Sequence, residues 1–260
     1  MPAETMIGLI GTGMLGRAIL RGWLDSGIDP ARLLVCNRSG SRDGVPKAVA
    51  LTTEPSTLAQ RCDAILLCVP PASVPDLALH APDKLILSVM AGATRDQLSD
   101  LTGSPRVIRA MSSPAAGRRL AYSPWIASPD TTPEDRAIAK ALFEAIGKTD
   151  EVSDEAHIDL FTAMTGPVPG FAAYFAALMA RHATAQGVAP EIADRAVRQL
   201  FLASGEMLAN DPMTPEQHVR QMIDYAGTTA AGLLAMETSP IQQAVAEGLQ
   251  AAADKARTIV

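Results

Sequence analysis

The residues best placed to do chemistry are the glycines of the segment Gly11-Thr12-Gly13-Met14-Leu15-Gly16. An apolar run over residues 6–10 precedes this segment and an amphipathic run over residues 15–24 follows it, which predicts a strand, a tight turn and a helix. The first glycine permits the turn, the second lets the backbone approach a pyrophosphate, and the third lets helix and strand pack closely. The N–H groups at the helix start attract phosphate, so the segment predicts a dinucleotide site.

The end of the second predicted strand, Asn37-Arg38-Ser39, indicates which dinucleotide binds. A unit that binds NAD usually carries an acidic residue here, hydrogen-bonded to the ribose 2′-hydroxyl. This strand ends without one, and Asp43 comes too late in the chain. An arginine can instead bind a 2′-phosphate. The pattern therefore predicts NADP(H), while NAD(H) stays open as a cofactor if Arg38 is only a solvated charge.

The second half of the chain offers hydroxyl groups beside glycines rather than acids, bases or metal ligands. The segments Thr165-Gly166-Pro167-Val168-Pro169-Gly170 and Ala226-Gly227-Thr228-Thr229 suit a small carboxylate, although helix capping alone also explains them. No lysine occurs between Lys148 and Lys255, and the four histidines lack metal-binding spacing, so no metal site is predicted. A site with few acid–base groups favours the reduction of an imine over the oxidation of an alcohol.

Composition narrows the partners to a small-molecule substrate and further copies of the chain. The chain has 260 residues and a net charge of -6, without a dense basic stripe, which argues against nucleic acid. No apolar run approaches the ~20 residues that would span a membrane. Cys36, Cys62 and Cys68 form no CxxC pair, and we expect free, buried thiols in a cytoplasmic protein.

The elements that must position these residues divide the chain in two. Continuous apolar runs at 33–36, 64–69, 85–89, 107–111 and 122–127 predict a parallel sheet covered on both faces. Residues 153–260 instead read as helices, at 154–164, 169–187, 190–209, 214–223, 228–237 and 239–258. The prediction is an α/β protein, with a Rossmann-type dinucleotide-binding domain over residues 1–152 and an all-helical domain over 153–260. The broad apolar faces of the helices predict a homodimer or a higher homo-oligomer.

With these segments in order, the chain resembles the pyrroline-5-carboxylate reductase family over nearly its whole length. The matching pieces are Ile7-Gly8-Leu9-Ile10-Gly11-Thr12-Gly13-Met14, Asn37-Arg38-Ser39, Ser88-Val89-Met90-Ala91-Gly92-Ala93-Thr94, Arg106-Val107-Ile108-Arg109-Ala110-Met111, Thr165-Gly166, Gly187-Val188 and Gly227-Thr228-Thr229. The resemblance implies reduction of a cyclic imine acid to proline with NAD(P)H, and a helical dimerisation domain. It also implies cofactor contacts at Val69, Pro70, Ala91 and Gly92. Thr229 would then lie near the imine nitrogen, with Thr165, Gly166, Gly227 and Thr228 around the substrate.

Four segments depart from the family pattern, mostly on the substrate side. The turn at residues 165–171 carries Pro167 and Val168 where the family has serine and glycine, and Val69-Pro70-Pro71 lacks the family's lysine. The loop Met111-Ser112-Ser113-Pro114 is one residue shorter, and Asp224-Tyr225-Ala226 replaces a Ser-Pro-Gly sequence. Two alternatives therefore stay open: an oxidoreductase acting on a related imine or small acid in a reshaped pocket, and a catalytically silent NADP-binding regulatory or structural protein.

Overall fold

A seven-stranded sheet organises the first part of the chain. In the computed structural model, residues 4–73 and 77–258 are described. Their strands are β1 (Ile7–Ile10), β2 (Leu33–Cys36), β3 (Ala50–Thr52), β4 (Ala64–Leu67), β5 (Leu85–Ser88), β6 (Val107–Ala110), β7 (Ala121–Tyr122), β8 (Trp125–Ala127) and β9 (Gly147–Lys148).

Helices cover the sheet and make up most of the later chain. They are α1 (Met14–Asp25), α2 (Pro55–Arg61), α3 (Arg95–Thr102), α4 (Pro133–Glu144), α5 (Ala156–Met164), α6 (Gly170–Ala185), α7 (Pro190–Asn210), α8 (Pro215–Asp224), α9 (Thr228–Glu237) and α10 (Ile241–Arg257). Short 3-10 turns cover Pro30–Arg32, Pro71–Ser73 and Pro114–Arg118. The six helices predicted after residue 153 are confirmed, each end within two residues of the predicted position.

The strand order, β3-β2-β1-β4-β5-β6-β8, makes β1 the point where the chain changes direction across the sheet. From β1 the chain adds β2 and β3 on one side and then returns to place β4 on the other, with all six strands to β6 parallel. In such sheets ligands bind outside the carboxyl ends of the strands at this switch. The ends of β1, β2 and β4 therefore define where the predicted site must lie.

Apolar strands explain why the sheet forms with both faces covered. Every residue of β1, β2, β4, β5 and β6 is buried, which is typical of a parallel sheet between two helical layers. Two core clusters result, one including Trp23 of α1 and Phe143 of α4, the other Leu58 of α2 and Leu98 of α3. The predicted α/β fold with a Rossmann-type sheet is thus confirmed.

The predicted strand at residues 122–127 is wrong in one respect, since two short strands, β7 and β8, occupy this region. Pro124 separates them, and proline has no N–H to donate to a ladder. β8 runs antiparallel to β6, while β7 pairs with β9 in a separate two-stranded sheet. The seven-stranded sheet is therefore mostly, not wholly, parallel.

Contacts along the chain define two compact units. One comprises the chain up to Gly166 together with the segment from Leu249, and the other comprises Pro167–Gly248. Helix α5 thus belongs to the sheet-containing unit, where Ile158 packs with Met111 and Ile126. The domain division after residue 152 stays a prediction. Among the described residues, no helix is long and apolar enough to cross a membrane.

Helices α6, α7, α8 and α9 bury little of their apolar surface within the second unit. Neither α6 nor α8 has a fully buried residue, and α7 and α9 bury only Ala193 and Ala230 respectively. The predicted apolar face of α6 is exposed, with the side chains of Phe171, Phe175, Leu178 and Met179. One aromatic contact covers part of it, since the ring centroids of Phe175 and Phe201 lie 6.2 Å apart. An apolar surface of this kind requires a partner.

Candidate cofactor and substrate site

The glycine turn after β1 is packed against the end of β4. Gly11 has a φ of 101°, which favours glycine, and a Cβ there would lie 2.3 Å from the carbonyl oxygen of Cys68. A Cβ on Gly16 would lie 2.0 Å from the carbonyl oxygen of Gly11. The first and third glycines are therefore required by the fold of the turn itself.

Gly13 differs from its neighbours because nothing in the chain requires a glycine there. Its φ is -66°, and a Cβ would meet no atom within 4 Å. It precedes α1 without a side-chain cap, so the first N–H groups of the helix have no capping side chain. The space above Gly13 and these N–H groups fit a pyrophosphate, which is the role predicted for this segment.

A cleft of about 520 Å³ opens at the switch point of the sheet, over the ends of β1, β2 and β4. Eight of the predicted cofactor residues line it: Gly11, Thr12, Gly13, Asn37, Arg38, Ser39, Val69 and Pro70. The described lining does not include five others, namely Met14, Leu15, Gly16, Ala91 and Gly92. Of these, Leu15 packs against the core and Ala91 packs beside Met111.

Asn37 links the glycine turn to the loop after β2. Its side-chain amide donates to the hydroxyl of Thr12 at 3.1 Å and to the carbonyl of Ser41 at 2.9 Å. The Ser39 hydroxyl donates to the Asn37 side-chain oxygen at 3.3 Å. Asn37 is thus a residue that shapes the cleft, since its amide is occupied by the protein.

Arg38 is exposed and makes no hydrogen bond or ion pair within the described part of the chain, so its guanidinium is available to a ligand. Asp43, the first acidic residue after β2, is paired with Arg17. Glu54, just after β3, acts electrostatically on Cys36 at the end of β2. In the described part of the chain, the Arg38 guanidinium in the cleft is therefore unpaired, and Glu54 lies between the lining residues Thr53 and Pro55 in the sequence.

Burial disfavours the thiolate form of all three cysteines. Burial raises the pKa of Cys36 to about 11, with a further contribution from the Glu54 charge. Burial also raises the pKa of Cys62 to about 11 and that of Cys68 to about 12. All three are free, as predicted; Cys36 and Cys62 are buried and Cys68 is half-buried.

The predicted substrate residues fall in different units. Thr165 and Gly166 lie at the end of α5 rather than at the start of α6, and the Thr165 hydroxyl donates to the Phe161 carbonyl at 3.0 Å. Thr228 and Thr229 begin α9, where both are exposed. Neither of these two hydroxyls has a hydrogen-bond partner among the described residues. Of the predicted hydroxyls, those on α9 are therefore free to bind a ligand.

Sequence reasoning missed cleft residues that come from short elements. Thr53 and Pro55 follow the edge strand β3, and Ser73 follows β4 in a 3-10 turn. β3 has only three residues and is not fully buried, so it left no periodic pattern to detect. Proximity to the strand β2 with which it pairs is what brings its end to the cleft.

Sequence reasoning also missed a cluster of ion pairs around Glu155. Arg109 of β6 pairs with both Glu155 and Asp159, and Glu155 also pairs with Arg95. A signal was present, because an arginine inside an apolar strand must find a partner when it is buried. Burial by itself would raise the pKa of Glu155, but hydrogen bonds from Arg95 and the positive charges of Arg109 and Arg95 lower it overall.

Both halves of the chain match models of known protein families. Residues 155–259 match the family described as pyrroline-5-carboxylate reductase dimerisation, and residues 6–92 match NADP oxidoreductase coenzyme F420-dependent. Pyrroline-5-carboxylate reductase 2 of Bacillus subtilis is 27% identical over 97% of this chain and 94% of its own length.

Solved structures share the fold at lower identity. A pyrroline-5-carboxylate reductase from Coxiella burnetii superposes with a TM-score of 0.87 at 23% identity, covering 98% of each chain. Plasmodium falciparum pyrroline carboxylate reductase with NADP bound gives a TM-score of 0.80 at 20% identity, covering 99% of this chain and 98% of that one. The relatives extend over nearly the whole chain and the two family matches follow one another along it, so this chain is similar to pyrroline-5-carboxylate reductases over nearly its full length.

Proposed function

We propose that the protein is an NADP(H)-dependent oxidoreductase that reduces 1-pyrroline-5-carboxylate, a small cyclic imine carboxylate, to proline. The observation that carries this proposal is the free Arg38 at the end of β2, in a cleft whose central glycine leaves open space, within a chain that matches pyrroline-5-carboxylate reductases almost end to end. The cofactor supplies a hydride to the imine carbon.

The cofactor half of the site has a separate task for each group. The N–H groups at the start of α1 and the open space at Gly13 would receive the pyrophosphate. Arg38 would bind the 2′-phosphate through charge-assisted hydrogen bonds. Val69 and Pro70 would border the ribose and nicotinamide side of the cleft, and Ala91 and Gly92 would contact the nicotinamide end. Glu54 is the reason to measure NADH as well, because a carboxylate could hold an unphosphorylated ribose.

The substrate half needs to bind a carboxylate and supply a proton. Reduction adds a hydride to the imine carbon and a proton to the nitrogen, converting the C=N bond to a C–N single bond. Thr229 would hydrogen-bond the imine nitrogen and relay that proton, and the free N–H groups at the start of α9, beside Gly227 and Thr228, would bind the carboxylate. Thr165 and Gly166 would border the same substrate.

The helical segment is the part of the chain that we expect to contact a second subunit. Residues 155–259 match a dimerisation family, and α6 to α9 expose apolar side chains that one chain leaves uncovered. We propose a homodimer, or a larger homo-oligomer built from it, acting on a small molecule in the cytoplasm.

Oxidation of NADPH, followed at 340 nm with a panel of cyclic imine carboxylates, tests the activity. We expect turnover of pyrroline-5-carboxylate and a lower KM for NADPH than for NADH. Turnover only of another imine or small acid would instead identify a pocket reshaped by Pro167 and Val168. Tight NADPH binding with no turnover would identify a silent NADP-binding protein.

Thr229→Val tests the proton-relaying role, since valine keeps the shape of threonine and removes the hydroxyl. We expect kcat to fall at least about a hundredfold, the lower end of the usual range for loss of a positioned proton donor. Thr238→Val is the matched control, because Thr238 lies at the other end of α9 with its hydroxyl bonded to the Ala235 carbonyl at 3.0 Å. An unchanged kcat in Thr229→Val would remove the assignment.

A further inference from the structure

Glu155 joins three separate segments of the sheet-containing unit through one carboxylate. The backbone N–H of Arg95 donates to its Oε1 at 2.9 Å, and the Arg95 Nε donates to its Oε2 at 3.0 Å. The Arg109 Nη1 also donates to Oε1, at 3.2 Å. The other terminal nitrogen of Arg109 pairs with Asp159, one turn later in α5.

The cluster is partly buried and balanced in charge. Two arginines face two carboxylates, and the Arg109 side chain is only 3% exposed. Arg95 has a further fixed contact, from its Nη1 to the Ala127 carbonyl at 2.6 Å. Removing one partner from such a cluster leaves the other charges uncompensated. The geometry therefore depends on Glu155 being present and ionised, which agrees with the lowered pKa of its carboxyl.

Each of the three segments leads directly into the proposed site. Arg95 begins α3, just after the loop that holds Ala91 and Gly92. Arg109 lies in β6, and the shortened loop at residues 111–114 follows that strand. Glu155 immediately precedes α5, at the far end of which lie Thr165 and Gly166.

Apolar packing reinforces the same connection. Met111, Ile126 and Ile158 form a small buried cluster, and Ala91 packs against it. The loop after β5, the residue after β6 and helix α5 thus share one apolar contact as well as one carboxylate. A displacement of α5 would be transmitted to both loops because the intervening groups are close-packed.

We infer that Glu155 is a positioning residue of the proposed reaction, holding the nicotinamide-side loop and the substrate-side end of α5 in one fixed arrangement. The inference rests on the proposed function for the reaction itself, although its effect on cofactor binding can be measured without any substrate. Glu155 is not among the described residues that line the cleft, and it acts through Arg95, Arg109 and the ends of α3 and α5.

Glu155→Gln tests this role, with Asp135→Asn as the matched control. Asp135 is likewise a carboxylate paired with an arginine, its Oδ1 lying 3.1 Å from Nη1 of Arg106, and it is more deeply buried than Glu155. It lies in the first turn of α4 and pairs with a residue just before β6, at the amino end of that strand, whereas the cleft lies over the carboxyl ends of β1, β2 and β4. Both variants lose one charge from a structural ion pair, so both should lower Tm.

Only Glu155→Gln should change the Kd for NADPH and the kcat when both variants are assayed well below their Tm. We expect its Kd for NADPH to rise and its kcat to fall, each at least about tenfold, because a displacement of about 1 Å at a reacting geometry can cost about a hundredfold. Asp135→Asn should leave both constants unchanged. Equal effects in the two variants, or unchanged constants in Glu155→Gln, would overturn the inference.

The NADPH titration separates this inference from the proposed function. If the wild-type protein binds NADPH but reduces no imine, the proposed reaction fails, and a raised Kd in Glu155→Gln alone still supports positioning of the cofactor-side loop. If the wild-type protein reduces the imine and the two variants match it in Kd and kcat, the reaction stands and the positioning role is wrong.

Discussion

At the residue scale, three glycines within six positions serve different physical needs. Gly11 and Gly16 have no room for a side chain beside backbone oxygens of the same unit, whereas Gly13 faces open space. The first two therefore determine whether the turn forms, and Gly13 determines what can approach it. This difference separates a folding requirement from a binding requirement within one motif.

Gly13→Ala should weaken NADPH binding with little loss of stability, whereas Gly16→Ala should destabilise the fold. Alanine at position 13 meets no atom of the chain, so we expect stability within about 1 kcal/mol of wild type and a Kd for NADPH raised at least about tenfold. Alanine at position 16 clashes with the Gly11 carbonyl and should cost about 3 kcal/mol or more. Thermal melts and fluorescence titration with NADPH check both. A destabilised Gly13→Ala protein would contradict the distinction.

Arg38 is the second residue whose role follows from what surrounds it. Because its guanidinium has no partner in the described chain, Arg38→Ala should leave the fold intact. Loss of a charge-assisted contact of about 1.5–3 kcal/mol should raise the KM for NADPH by at least about tenfold and leave that for NADH unchanged. Arg21→Ala is the control, since Arg21 is exposed and, among the residues that the structure describes, pairs only with Asp25. Equal losses for both cofactors would rule out 2′-phosphate recognition.

At the scale of elements, α5 is held to the sheet by ion pairs as well as by the apolar contact of Ile158. Its amino end is fixed by Glu155 and its next turn by Asp159, both through Arg109. A helix held in this way depends on the ionisation of its carboxylates. The hydrogen bonds from Arg95 and the neighbouring positive charges lower the pKa of Glu155 despite its burial.

The stabilisation from Glu155 should therefore be lost on the acid side. A carboxyl whose pKa is lowered by folding contributes its full stability above its unfolded pKa, about 4.3, and loses it as pH falls through the folded value. The Tm difference between wild type and Glu155→Gln should be largest near pH 7 and shrink below about pH 4. Calorimetry of both proteins from pH 7 to pH 3 measures this. A difference that stays constant down to pH 3 would mean that the ionised form contributes nothing.

At the scale of the whole molecule, the two units differ in how they cover apolar surface. The sheet-containing unit encloses two large core clusters, whereas the helices of Pro167–Gly248 expose aromatic and aliphatic side chains along most of their length. A second copy of the chain is the proposed cover. In a symmetric dimer each interface residue occurs once in each subunit, so a substitution there changes the interface at two places.

Leu202→Glu should shift the protein towards monomer. Leu202 lies in α7 and is 60% exposed in the single chain. Burying a leucine contributes about 1.5–3 kcal/mol, so two copies predict a dimer weakened by more than about a hundredfold. Light scattering across a concentration series checks this, with Leu120→Glu as the control. Leu120 is 73% exposed outside the helical unit and should leave the mass unchanged. A wild-type monomer at micromolar concentration would refute the dimer.

Local sequence determined the elements and the cofactor half of the site. Buried strands leave continuous apolar runs, helices leave periodic ones, and Gly11 to Gly16 and Asn37 to Ser39 sit at strand ends that a parallel sheet must bring to one edge. Helix ends in the second half were therefore predictable within two residues.

Only the tertiary structure decided what depends on contacts between distant segments. In the folded chain β8 runs antiparallel to β6, and Thr53 and Ser73 line the cleft. Arg95, Arg109 and Glu155, which are far apart in the sequence, form one charge cluster. These contacts connect residues up to 60 positions apart, and no periodicity within a segment encodes them. The tertiary structure also showed that Gly13 alone among the three glycines faces open space, because only the packed neighbours reveal which positions are already filled.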